Sequence, residues 1–163
     1  MLLEMRFSNF FSIKDEVCID FKAGTINTAG AKELADNIFS VNDETLLKVQ
    51  GLFGPNASGK SSILKAAASC VQIILESHLY NEGVEFNYMP FKFDGYFEKP
   101  SSFYIDFITD GIEYEYSFSI TRNQILTEEL YYHPTKRKVR FLQEMNLRGL
   151  LNLTSTVLAK VSL

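Results

Sequence analysis

The 163 residues contain no tryptophan, only two cysteines and two histidines, and four prolines. Cys18 and Cys70 sit singly inside apolar patterns rather than in Cys-x-x-Cys pairs. That spacing excludes a zinc ribbon and a disulfide framework, and it suits a reducing compartment. No second His, Cys or acid cluster is spaced to join His78, which reads as a helix-edge residue rather than a metal ligand. The longest stretches free of charge are eleven residues, Val49–Gly59 and Gly149–Ala159, too short to span a bilayer. The start, Met1-Leu2-Leu3-Glu4-Met5-Arg6, has an early acid and lacks the apolar stretch of a secretory signal. A cytoplasmic protein without a membrane partner is the expectation.

Excess positive charge is also missing. Twenty acids against sixteen bases leave a net charge of −4, with a pI near 5.2. Such a balance provides no global attraction to nucleic acid or to an anionic membrane. The one dense basic run, Lys136-Arg137-Lys138-Val139-Arg140, reads as a solvated strand or hairpin tip. What is present is a globular composition: 46% apolar, 13% aromatic, mean hydropathy −0.03. The length suits one domain with its own core.

Periodicity organises the chain. Leu3, Met5 and Phe7, then Val17, Ile19 and Phe21, alternate around a turn-rich Ser8–Asp15, which predicts an antiparallel hairpin over residues 2–22. Ala23–Glu44 is rich in turn formers and reads as a loop, with at most one short helix around Ala31–Phe39. Leu46–Phe53 is a short apolar run, consistent with a largely buried strand. From Ser61 the period becomes helical: Ile63/Leu64, Ala67, Cys70/Val71, Ile74/Leu75 and His78 form one stripe, with Asn81-Glu82-Gly83 as the stop. Beyond Phe86 alternation returns. Phe103, Ile105 and Phe107 precede Asp110-Gly111, and Ile112, Tyr114, Tyr116, Phe118 and Ile120 follow, a hairpin signature. Leu130–Tyr132 and Val139–Leu142 flank His133-Pro134-Thr135 as another hairpin. Met145–Leu163 has no acid and no clear amphipathic phase, and reads weakly as one helix.

One motif carries chemistry. Gly54-Pro55-Asn56-Ala57-Ser58-Gly59-Lys60-Ser61 fits G-x-x-x-x-G-K-[ST]. Four constrained positions match by chance in about one of two hundred chains of this size. Here a strand-like run precedes the motif and a helical pattern follows it. Glycines at 54 and 59 allow a tight curl with backbone N–H groups turned inward on a phosphate. The helix N-terminus behind the loop favours the same anion. Lys60 suits the β- and γ-phosphates as a point charge, and the Ser61 hydroxyl suits Mg²⁺. The predicted ligands are ATP and Mg²⁺, with Gly54, Pro55, Asn56, Ala57, Ser58, Gly59, Lys60, Ser61 and Ser62 forming the site. The predicted class is α/β, a P-loop NTPase.

The stretch from Gly54 to Ser62 resembles the G-x-N-[GA]-[SA]-G-K-[ST] loop of ABC-type ATPases, specifically the RecF/SMC/OLD group of AAA-like bacterial ATPases. Asn9-Phe10-Phe11-Ser12 resembles the Asn-Phe-x-Ser turn in that group's opening hairpin; Phe11 stands where the group usually carries an Arg or Lys that can reach the nucleotide, with Lys14 and Arg6 as nearby cations. The aromatic region Phe103–Phe141 resembles its antiparallel β-subdomain. The resemblance implies an N-terminal ATPase lobe over residues 1–142, with strand, P-loop and helix at 46–80 and the β-subdomain at about 86–142. Residues 143–163 would be a tail, read as a truncation or frameshift product. It also implies a head-to-head dimer or a second lobe as partner, and relatives that act on DNA or in phage defence. The Leu-Ser-Gly-Gly signature loop, the Asp-Glu Walker B strand and the switch His of ABC-type heads are absent from these residues. Binding of ATP without hydrolysis is therefore expected.

Two other readings stay open at this level. Phe103-Tyr104-Ile105-Asp106 resembles a Walker B strand, and Asp106 would hold Mg²⁺ in a compact P-loop kinase or GTPase. The run continues into Asp110-Gly111 and a second alternating strand, so it reads as antiparallel and half exposed, whereas a Walker B strand is parallel and buried. The second reading is a non-hydrolysing module in which nucleotide orders the loop for a partner. Gln124 and Gln143 are candidates for a Q-loop glutamine, and both read equally as surface residues.

Overall fold

The computed structural model describes residues 1–24, 30, 33, 35–76, 85–134 and 137–145. Six strands form one wholly antiparallel sheet. They are β1 (Leu2–Ser8), β2 (Val17–Asp20), β5 (Ser101–Thr109), β6 (Ile112–Ile120), β7 (Ile125–His133) and β8 (Val139–Met145), in the spatial order β2-β1-β5-β6-β7-β8. β3 (Ile38–Val41) and β4 (Glu44–Leu47) form a separate hairpin, and α1 spans Lys60–Glu76.

The three hairpins expected from alternation are present. β1 pairs with β2, β5 with β6, and β7 with β8. Asp110 and Gly111 both take positive φ, 51° and 75°, as a two-residue turn needs when its twist must match right-handed strands. Alternation then places Met5, Phe7, Phe103, Ile105, Phe107, Tyr116 and Phe118 in one core with Ala66, Cys70, Ile73 and Ile74 of α1. Phe7, Phe103 and Phe118 lie opposite one another across three strands, and the Phe103 and Phe118 rings stack at 5.0 Å. Such a row of aromatic neighbours locks the register.

Several expectations are corrected. Ala23–Glu44 is not only loop, since β3 and β4 lie at its end, joined through Asn42 at φ 52°. Their stability comes from tertiary contact rather than from pattern. Leu46 joins Leu3 and Ile108 in a second buried cluster, with Phe39 and Val41 packed against it. The helix expected around Ala31–Phe39 falls partly outside the described residues, and its described end is one 3₁₀ turn, Ala35–Asn37.

Leu46–Phe53 is not a buried strand. Pairing stops at Leu47, and Val49 and Phe53 are 76% and 94% exposed. An apolar run becomes a strand only where a neighbour completes its ladder, and 49–53 has no such neighbour among the described residues.

The helical stripe is split. Ala66, Ser69, Cys70, Ile73 and Ile74 are buried against the sheet, while Leu64 and Val71 are exposed. The stop signal, His78 and the segment 146–163 lie outside the described residues. β8 reaches Met145, three residues beyond the expected Leu142. Arg137 and Lys138 are exposed as expected of a hairpin tip.

Candidate functional site

The loop 54–59 runs from the unpaired segment into the first turn of α1. Gly59 has φ 92°, a conformation that L side chains rarely adopt, and Ala57 has φ 63°. A Cβ on Gly54 would meet Ser58 Oγ at 2.8 Å, so a side chain there would make that hydroxyl turn away. Lys60 folds back over the loop. Its ammonium donates to the carbonyls of Gly54 and Pro55 at 2.8 and 2.6 Å and to Ser58 Oγ at 3.3 Å. A cation thus sits on the concave side of a backbone curl. Behind it α1 begins: the Ser62 and Ile63 N–H groups donate to Gly59 O at 2.9 and 3.1 Å, and the N–H groups before them have no partner in the helical ladder. Positive charge and a helix N-terminus behind a tight loop fit an anion of phosphate type. Ser61 is exposed on the first turn, where its hydroxyl could hold a metal beside that anion.

The turn between β1 and β2 touches this loop. Ser12 Oγ donates to Ser62 Oγ at 2.7 Å and lies 3.5 Å from where a Cβ on Gly59 would be. Asn9 holds the turn in shape. It is 3% exposed with φ 53°; its amide N–H groups are shared among the carbonyls of Tyr96, Lys99 and Pro100, and its Oδ1 accepts from Phe91 N–H at 2.9 Å. Phe11, also at positive φ, packs its ring on Phe10 and carries the Lys65 ammonium 4.8 Å above its face. The contact of Ser12 with the loop was not read from the sequence, where Ser12 served only as part of a hairpin motif.

Other candidates lie elsewhere. Lys14 pairs with Asp94 at 2.7 Å, and Arg6 pairs with Glu4 while its guanidinium covers the Tyr104 ring. Gln124 is exposed in the turn before β7, its carbonyl accepting from Thr121 N–H. Gln143 lies on β8 opposite Glu129.

Asp106 is on β5 between antiparallel neighbours, across from Glu4 on β1 and Glu115 on β6. The expected half exposure is wrong, for Asp106 is 6% exposed. β5 is buried on both faces at 105–108, because the β3–β4 hairpin lands on the face opposite α1, at Ile108. Burial pushes its carboxyl up to about 7, helped by Glu113 and Glu115 and opposed by Lys22. No group of three His, Cys, Asp or Glu able to hold a metal exists among the described residues.

Residues 50–152, more than half of the chain, match the family described as the AbiEii toxin-like AAA domain, Type IV TA system. The chain belongs to this AAA-domain family. No curated protein matches it. Membership makes it an AAA-like P-loop ATPase relative of nucleotide-binding type, and the antiparallel, sheet-rich α/β fold is compatible with that class. No helix among the described residues of this AAA-domain chain is long and apolar enough to cross a membrane.

Proposed function

We propose that this AAA-domain chain binds ATP–Mg²⁺ on the loop Gly54–Ser62, as the N-terminal lobe of an ABC-type head resembling the RecF/SMC/OLD group. The observation that carries the reading is the Lys60 ammonium seated on the Gly54 and Pro55 carbonyls, in front of the α1 N-terminus. In this reading Gly54, Pro55, Asn56, Ala57, Ser58 and Gly59 supply the backbone cradle. Lys60 turns from those carbonyls to the β- and γ-phosphates. Ser61 supplies a hydroxyl to Mg²⁺, and Ser62 ties the cradle to Ser12. The metal neutralises charge on the phosphates, and the chain's own residues bind and orient them. A cytoplasmic protein is the matching setting.

Residues 1–142 are the lobe and 143–163 a tail in this proposal, and the partner is a second lobe or a second head. An open apolar groove of about 630 Å³ supports a polypeptide partner; it is lined by Leu2, Ile19, Phe21, Leu52, Leu64 and Val71. Apolar patches of this kind mark interaction surfaces. The signature loop and the Walker B Asp-Glu strand of ABC-type heads are missing from these residues, so in this proposal the chain holds ATP without turning it over.

Calorimetry with ATP–Mg²⁺ tests the site. Lys60→Ala is expected to weaken binding at least tenfold, about 1.4 kcal/mol or more. Equal affinity in wild type and variant removes the assignment.

A further inference from the structure

Two residues of the β1–β2 turn meet two residues of α1. Ser12 Oγ bonds Ser62 Oγ at 2.7 Å, and the Lys65 ammonium lies 4.8 Å above the Phe11 ring. Ser62 and Lys65 are three apart on the helix and so share a face. Helical side chains lean toward the N-terminus, so the Lys65 stem runs back along α1 toward the loop Gly54–Ser62. Phe11 is the neighbour of Ser12, whose hydroxyl is 3.5 Å from where a Cβ on Gly59 would be. The Lys65 ammonium is thus held near the first turn of α1.

Phe11 is fixed from several sides. Its φ is 50°, which an aromatic residue rarely adopts. Its N–H donates to Met89 O at 2.7 Å, and its ring meets that of the buried Phe10 edge-on at 4.8 Å. Lys65, by contrast, is an exposed and flexible side chain. Lys14, Lys22 and Lys138 each pair with a carboxylate. Lys65 has no such partner among the described residues, and α1 carries no acid before Glu76. Lys60 and Lys65 are therefore two cations in the first two turns of α1, both resting on neutral groups.

We propose that Lys65 is a second phosphate-binding cation, parked on the Phe11 ring until a nucleoside triphosphate draws it off. A π face offers an ammonium only partial charge. A phosphate oxygen offers a full one and accepts a charge-assisted hydrogen bond, so the exchange favours the phosphate. Phe11 is the positioning residue: it keeps the lysine ordered close to its target, and less rotamer freedom is lost on binding. Lys65 acts on the polyphosphate and not on the base, so it adds affinity without choosing between ATP and GTP. The inference rests on the nucleotide-binding reading of the loop and deepens it.

Calorimetry at low ionic strength, with ATP–Mg²⁺ and with magnesium tripolyphosphate, reads the contact. Lys65→Met is expected to weaken both ligands by about fivefold or more. Lys65→Arg, which keeps the charge, is expected to stay within about twofold of wild type. Magnetic resonance of protein carrying isotope-labelled lysine reads the parking. The Lys65 Hε protons, assigned by their loss in Lys65→Met, are expected upfield of the other lysines because they lie over a ring. Saturating ATP–Mg²⁺ returns them to the common position, and Phe11→Leu, which keeps apolar bulk without a π face, erases the displacement without ligand. Unchanged affinity in Lys65→Met beside a loss in Lys60→Ala overturns this proposal and leaves the loop reading standing. Unchanged affinity in both variants removes the loop reading and this one with it. A loss that Lys65→Arg repeats, or an upfield signal that persists at saturation or in Phe11→Leu, also overturns it.

Discussion

Ser12 and Ser62, fifty residues apart, share a 2.7 Å hydrogen bond between hydroxyls. This contact joins the first turn of the chain to the first turn of α1. It makes the β1–β2 connection part of the loop's wall rather than a remote hairpin. A neutral hydrogen bond contributes about 1 kcal/mol. Ser12→Ala is expected to weaken ATP–Mg²⁺ binding by about fivefold, with little change in melting temperature. Calorimetry beside a thermal scan checks it, and unchanged affinity would detach the hairpin from the site.

Asn9 is expected to matter for folding. Asn9→Ala removes the bonds of the Pro100 carbonyl and the Phe91 N–H, takes one of two donors from the Tyr96 and Lys99 carbonyls, and places an alanine at φ 53°. Buried polar groups left unsatisfied cost about 1–3 kcal/mol each at full burial. A loss of about 2–3 kcal/mol in urea denaturation is expected. A change under about 0.5 kcal/mol, the range of a surface substitution, would refute the role.

The Asp106 carboxyl gives a pH dependence with a definite sign. Its folded value is raised from 3.8 to about 7 by burial, so the folded state holds the proton more tightly than the unfolded chain does. Stability from this group falls as pH rises from about 4 to about 7 and stays low above that. Asp106→Asn is expected to flatten that fall and to stabilise the chain at pH 8, while leaving Mg²⁺-dependent ATP affinity within about twofold at pH 6. Denaturation midpoints across pH check the first part. A large loss of affinity at pH 6 would make Asp106 a metal residue and favour a compact kinase or GTPase.

Hydrolysis should be absent. Phosphoryl transfer to water needs a positioned base and charge stabilisation beyond a lysine and a metal. Loss of a general base alone removes about 10²–10⁴ in rate. The chain is expected to release phosphate no faster than its Lys60→Ala variant at any protein concentration. Lys60-dependent turnover would show that an acid or base within these residues does the work.

Legibility in the sequence followed the reach of each interaction. Long alternating runs around Asp110-Gly111 marked β5 and β6 because strand period and turn chemistry are local. The loop motif was legible because its eight residues are contiguous. β3 and β4 were not, since strands of four residues show too little alternation and owe their place to Leu3 and Ile108. The run at Leu46–Phe53 misled because it has the pattern of a strand without a strand's neighbour. The Ser12–Ser62 contact and the burial of Asp106 depend on segments far apart in the chain, which spacing alone does not reveal.

The unpaired stretch from Lys48 to Phe53 has an energetic consequence. Three described hydrogen bonds hold it, Lys48 N–H on Asn37 O at 2.9 Å, the Lys48 ammonium on Asp36 O at 2.6 Å and the Gln50 amide on Asp20 O. Fixing each backbone residue costs about 1–2 kcal/mol in entropy, so a ligand that must still the loop loses part of its affinity to this tether. A strand laid beside 48–53 would prepay that ordering and tighten nucleotide binding. By linkage, nucleotide would tighten the strand's binding by the same factor.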